Sequence, residues 1–188
     1  MRSSLRLDLQ PGFYFISALM VLLIPLQWCA AFMLAALFHE LCHLAAVRLC
    51  GGSASLLRAG NSGATIDAWG LSSGKALLCT LAGPLGSLLL LFFSRWFPRL
   101  ALCAVGQTCF NLLPLRGLDG GQALRHCFFW LFPRQIGDKL CRFIHRVALL
   151  ACFVTGIYAT FVLKLGILPV LFSSVLILKY PYGKIPCK

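Results

Sequence analysis

The sequence predicts an all-α polytopic membrane protein with about six transmembrane helices. Three observations carry that expectation. The 188-residue chain is 60% hydrophobic, with a mean hydropathy of +0.86. Only 12% of its residues are charged, against about a quarter in soluble domains. The apolar residues also gather in runs, among them Phe13 to Leu26, Ala76 to Phe93 and Leu100 to Leu115, none of which holds a formal charge. A helical span needs about 20 mostly apolar residues, so the shorter runs must extend into their flanks, tilt or re-enter.

The first segment, 12–27, follows Arg2 and Arg6. A second apolar segment comes directly after it, with no clean small-x-small cleavage site, so it reads as a retained helix. The second segment, 29–49, is apolar except for His39, Glu40, His43 and Arg48. Residues 50–74 are rich in Gly, Ser and Ala. Short β-like pieces at Ser55–Arg58 and Ala64–Trp69 flank the turn signal Asn61-Ser62-Gly63, which predicts a small membrane-associated β-hairpin. Segments three and four, 75–93 and 99–114, follow. The stretch Gly121–Arg146 mixes apolar and basic residues and predicts one or two amphipathic helices broken at Pro133. Segments at 147–164 and 166–179 complete the set. With no internal repeat or low-complexity tract, the chain reads as a single membrane-embedded domain, 1–188.

The formal charge is +12, from 17 Lys and Arg against five acids. In a soluble domain this would suggest nucleic acid. In a membrane chain it reports orientation, because cytoplasmic loops collect Lys and Arg. The basic residues lie near the N-terminus, in 116–146 and in Lys179–Lys188, so both termini are expected in the cytoplasm, with anionic headgroups as secondary partners. Ten cysteines are scattered without a C-x-x-C pair. They indicate neither a zinc ribbon nor a disulfide framework, and read as small buried hydrophobes.

His39, Glu40 and His43 form H-E-x-x-H. On a helix, residues four apart share a face, so both imidazoles can bind one Zn²⁺. Glu40, about 100° round the helix, lies near enough to polarise a metal-bound water. Ionisable residues inside an apolar segment are costly and mark function; the bland alternative is a polar cluster that holds helices together. A catalytic zinc site takes three protein ligands, and only Asp8, Asp67, Asp119 and Asp138 remain as acids. Asp119 follows the fourth segment. Pro114 breaks the helix before it, and Gly120 and Gly121 let the backbone turn closely after it. Asp119 is the best third ligand by elimination and topology, set against a reading as a turn or N-cap aspartate. His126 and His145 lie among basic residues and read as interfacial side chains.

The same residues carry a resemblance. His39-Glu40-Leu41-Cys42-His43 in a membrane segment, followed by Leu81-Ala82-Gly83-Pro84 and then Asn111-Leu-Leu-Pro114-Leu-Arg-Gly-Leu118-Asp119-Gly120-Gly121, resembles the site-2 protease family of intramembrane zinc metalloproteases. The likeness covers about 29–125, the family's three-helix catalytic core. It implies one Zn²⁺ per chain held by His39, His43 and Asp119, with Glu40 as catalytic base and Asn111 holding substrate or the reacting carbonyl. Gly83, Pro84, Pro114, Gly120 and Gly121 are the matching structural positions. The extra segments resemble the six-span branch, which includes the bacterial sporulation protease that processes a pro-sigma factor. The implied substrate is a transmembrane or membrane-associated protein, with regulatory membrane proteins as further partners, in a bacterial cell membrane with the site near its cytoplasmic face. Cys42 departs from the family, which usually has Gly there. A catalytically inactive binding protein and an ion transporter are the competing classes.

Overall fold

The computed structural model describes residues 6–9, 18, 20–60, 63–69, 71–164 and 166–179. These fall into two compact units, 1–112 and 113–188. Residues 12–17 and 19 of the expected first segment, and the C-terminal tail beyond Lys179, lie outside the described residues.

In the first unit, β1 (Arg6–Leu9) precedes α1 (Leu26–Leu49). Helix α1 ends where Gly51 takes a positive φ of 79° and its successor, Gly52, donates from its N–H to the Val47 carbonyl. Glycine adopts that left-handed conformation without a Cβ penalty. Strands β2 (Ser53–Gly60) and β3 (Gly63–Trp69) come next and pair antiparallel, with a register shift between Ala54 and Leu56. The two β-like pieces read from sequence fall inside them. Strand β1 pairs parallel to β2 and completes a sheet of order β1-β2-β3.

Helix α2 (Ser73–Leu88) runs on through a 3₁₀ turn at Leu89–Phe93, and α3 (Pro98–Asn111) follows. Proline opens α3, where its missing N–H is an orphan in any case. The three helices pack on one another. Ala35, Leu90 and Ala104 form the buried core, flanked by Phe38, Leu100 and Cys103. Small residues at this centre let the backbones approach closely. His43 pairs with Cys79 and His39 with Ser87, so α2 runs antiparallel to α1. Gln107 pairs with Phe32 and Asn111 with His39, so α3 runs parallel to α1.

The second unit begins with a short irregular loop and α4 (Asp119–Leu131). Pro133 separates it from α5 (Arg134–Phe161), and α6 (Leu168–Lys179) packs on α5. Gly156 sits at that crossing, where a Cβ would run into the Ser173 hydroxyl. The sequence places a boundary near 146, between an amphipathic stretch and an apolar segment. The structure has none, and α5 is one continuous helix of 28 residues. A change from mixed to apolar side chains does not interrupt backbone hydrogen bonding, which only a break such as Pro133 does.

Among the described residues, three helical stretches are long and apolar enough to cross a membrane: Leu26–Leu49, Ser73–Phe93 and Arg134–Phe161. Leu168–Leu178 is a shorter apolar helix. Large apolar side chains cover the outer faces, including Leu34, Leu37, Leu78, Leu85, Phe92 and Leu150. Exposed apolar surface on this scale suits lipid rather than water.

Candidate metal centre

His39 and His43 lie one turn apart on α1, and the polar groups of α2 fix how each ring is turned. The His43 Nδ1 is 2.8 Å from the Cys79 carbonyl oxygen. A carbonyl only accepts, so the His43 proton resides on Nδ1. The His39 Nδ1 is 3.0 Å from the Ser87 hydroxyl oxygen, and that hydroxyl donates to the Gly83 carbonyl at 3.0 Å. With its own proton committed, Ser87 Oγ accepts from His39 Nδ1–H. With Nδ1 carrying the proton, each imidazole in its neutral form presents an unprotonated Nε2. Those two nitrogens face each other at 3.1 Å. His39 is 2% exposed.

Two neutral nitrogen lone pairs held face to face repel unless a proton or a cation lies between them. A tetrahedral zinc with Zn–N bonds of about 2.0–2.1 Å would hold its nitrogens about 3.3 Å apart. The observed separation fits such an ion, and the Nδ1 partners are the kind that hold metal-binding histidines in one tautomer.

The surroundings of the pair are shaped to it. A Cβ at Gly83 would run into the His43 ring, so only glycine admits the imidazole here. Pro84 is fully buried, and its carbonyl accepts from the Thr108 hydroxyl of α3 at 3.4 Å. Asn111, at the end of α3, places its Nδ2 3.2 Å from His39 Nε2. Cys42 turns towards α2, where its Sγ fills the space over Gly86 that a Cβ there would need. A glycine at each place would leave that space empty, so Cys42 and Gly86 are complementary in volume. Glu40 is half-buried on the same helix.

The second unit carries Asp119. It is the first residue of α4, and the N-cap position is Leu118 rather than Asp119 itself. A carboxylate in the first turn is favoured by the positive end of the helix. A Cβ at Gly121 would run into the Leu115 carbonyl, which explains a glycine two residues after the aspartate. Leu115 and Leu118 are buried and anchor the loop from below.

The fold is that of a site-2 protease. The chain matches the solved structure of the Site-2 Protease from Methanocaldococcus jannaschii with a TM-score of 0.68. The match covers 98% of this chain and 94% of that one, at 19% sequence identity. No family model and no curated protein matches the chain. At this identity the likeness establishes the fold, and the chemistry rests on the residues themselves.

The structure brings His39, His43, Asn111 and Gly83 together in the first unit, all four singled out in the sequence. Sequence reasoning missed Ser87 and the Cys79 carbonyl, which orient the two rings. Ser87 had one available signal: it lies one turn after Gly83, the one hydroxyl in the apolar second half of α2, Leu81–Leu88. His145 needs correction. It is 3% exposed rather than interfacial, and its Nδ1 accepts from the Arg116 backbone N–H at 3.3 Å. His126 lies on α4, where burial, and then the charge of Arg125, lower its pKa below the usual histidine value.

Proposed function

We propose that this chain is an intramembrane zinc metalloprotease that hydrolyses peptide bonds within or beside transmembrane segments of membrane proteins. The observation that carries the reading is the His39–His43 pair. Two buried imidazoles on a helix long and apolar enough to cross a membrane are locked with both Nε2 lone pairs converging. The fold shared with a solved site-2 protease supports it.

In this proposal His39, His43 and Asp119 hold one Zn²⁺ per chain, two imidazole nitrogens and one carboxylate oxygen. Both units then serve one peptidase domain. Bound zinc supplies Lewis acidity, which brings the pKa of water to about 7. Glu40 takes the proton from the attacking water and returns it to the leaving amine. Asn111 donates from Nδ2 to the oxygen of the scissile carbonyl as negative charge develops there. Ser87 and the Cys79 carbonyl accept from the Nδ1–H of His39 and His43 and hold both rings in place throughout. The substrate must be locally unwound, because helical backbone is shielded by its own hydrogen bonds. The β2–β3 hairpin, lying at the membrane surface, would pair with the extended strand by β-augmentation. The arrangement is six membrane segments, counting 12–27 and the shorter α3 and α6, in a bacterial cell membrane with both termini and the site towards the cytoplasm.

The test is the full-length chain in detergent or nanodiscs, with zinc content and cleavage of a membrane-protein substrate measured together. Wild type is expected to hold one zinc per chain and to cleave. Glu40→Gln is expected to hold the same zinc and lose cleavage by at least about 10²-fold, the scale of a lost acid–base group. Zinc without cleavage in the wild type would favour a binding protein; no zinc at all would sink the metalloprotease reading.

A further inference from the structure

The loop that leads into Asp119 has an unusual hydrogen-bond pattern. Of the four backbone N–H groups at 115–118, three pair within the loop: Leu115 donates to the Leu113 carbonyl at 2.7 Å, and Gly117 and Leu118 both donate to the Leu115 carbonyl, at 2.9 and 3.0 Å. The fourth, on Arg116, leaves the loop and donates to His145 Nδ1 on α5 at 3.3 Å. A buried N–H without an acceptor is costly, and the loop has already used its carbonyls at Leu113 and Leu115. His145 supplies the acceptor from outside.

The geometry fixes the state of that ring. To accept from a backbone N–H, His145 Nδ1 must be unprotonated, so the proton of the neutral ring lies on Nε2. This is the opposite tautomer to His39 and His43. Beside the ring is a small cavity of about 20 Å³, lined by residues that include Pro114, Gly121, Asp138 and Cys141. That is room for about one water and too little for a substrate, which makes this a packed corner rather than a second binding site. Within it, α5 grips the loop at Arg116, and the Leu115 carbonyl rests on Gly121 in the first turn of α4. Asp119 stands between those two fixed points.

We propose that His145 is a positioning residue: by accepting from Arg116 N–H it ties the 113–118 loop to α5 and so sets where the Asp119 carboxylate stands. This rests on the reading of Asp119 as a metal ligand. His145 touches neither substrate nor metal in this scheme; it acts through the backbone three residues before the ligand.

The experiment compares full-length wild type, His145→Phe, His145→Asn and Asp119→Ala. The readouts are zinc affinity, thermal stability and the visible absorption of the Co²⁺-substituted protein. Phenylalanine fills the space without an acceptor. Asparagine can place Oδ1 near the position of Nδ1 and restore it. His145→Phe is expected to weaken zinc binding about tenfold, the lower end for loss of an outer partner, and to alter the Co²⁺ spectrum. His145→Asn is expected to return both towards wild type, even where its thermal stability stays as low as that of His145→Phe. Wild-type affinity and spectrum in His145→Phe would overturn the proposal, as would a His145→Asn protein no better than His145→Phe. Asp119→Ala separates the underlying reading: if it keeps wild-type zinc affinity and Co²⁺ spectrum, Asp119 is no ligand and the premise itself fails.

Discussion

At the scale of single residues, the decisive atoms are those that hold the histidines rather than the histidines themselves. Ser87 accepts from His39 only because its own proton is committed to Gly83. Removing that hydroxyl leaves His39 Nδ1–H without its acceptor and the ring free to change tautomer. Ser87→Ala is therefore expected to lower zinc affinity by about 10–100-fold, while circular dichroism of the helices stays unchanged. Zinc affinity equal to wild type would show that Ser87 does not orient the ring. Cys42 makes the opposite case. Its Sγ packs over Gly86, so its work is to fill volume. Cys42→Gly is expected to keep cleavage and zinc content while losing about 1 kcal/mol of stability from the emptied space, read by thermal unfolding. Loss of zinc in that variant would give the thiol a role beyond packing.

Among the elements, legibility divided along physical lines. The His39–His43 pair was readable because helical periodicity alone puts residues four apart on one face. Asp119 stood out as a candidate because a helix stop and close-turning glycines mark irregular backbone within an apolar context, whereas Asn111 stood out only through the family resemblance. Strands β2 and β3 were readable from their turn. Strand β1 was not: four residues, Arg6–Leu9, pair parallel with β2 across a long separation, and no local pattern announces a non-local pairing. Ser87, Cys79 and His145 were hidden for the same reason, since each acts through a tertiary hydrogen bond. The crossing of α5 and α6 shows what such contacts demand. Gly156 has the Ser173 hydroxyl and the Pro169 carbonyl directly over its Cα. Gly156→Val is expected to force α6 away and to destabilise the second unit by about 1–3 kcal/mol, seen as a lower unfolding temperature and easier proteolysis near Gly166. Unchanged stability would mean that α6 docks less closely than the structure has it.

Across the whole molecule, helix direction and charge constrain orientation together. Helices α1 and α3 run parallel and α2 runs against them. The His43 end of α1, the hairpin, the start of α2 and the Asn111 end of α3 therefore share one side. Helix α3 has 14 residues, about 21 Å at 1.5 Å per residue, which is less than a hydrocarbon core of about 30 Å. In the proposed arrangement its end at Asn111 falls within membrane depth, level with His39, where polar side chains are costly unless they serve a site. Beyond it the chain enters 116–146, which holds Arg116, Arg125, Arg134, Lys139, Arg142 and Arg146 against Asp119 and Asp138. The opposite side, between α2 and α3, holds only Arg95 and Arg99. Positive residues accumulate on the cytoplasmic side, so the site is expected to open there. A reporter active only in the cytoplasm, fused after Pro133, is expected to be active, and the same reporter fused after Ser94 to be silent. The reverse pattern would turn the molecule over and place hydrolysis at the outer face. Equal activity at both positions would mean that α3 does not carry the chain across the bilayer.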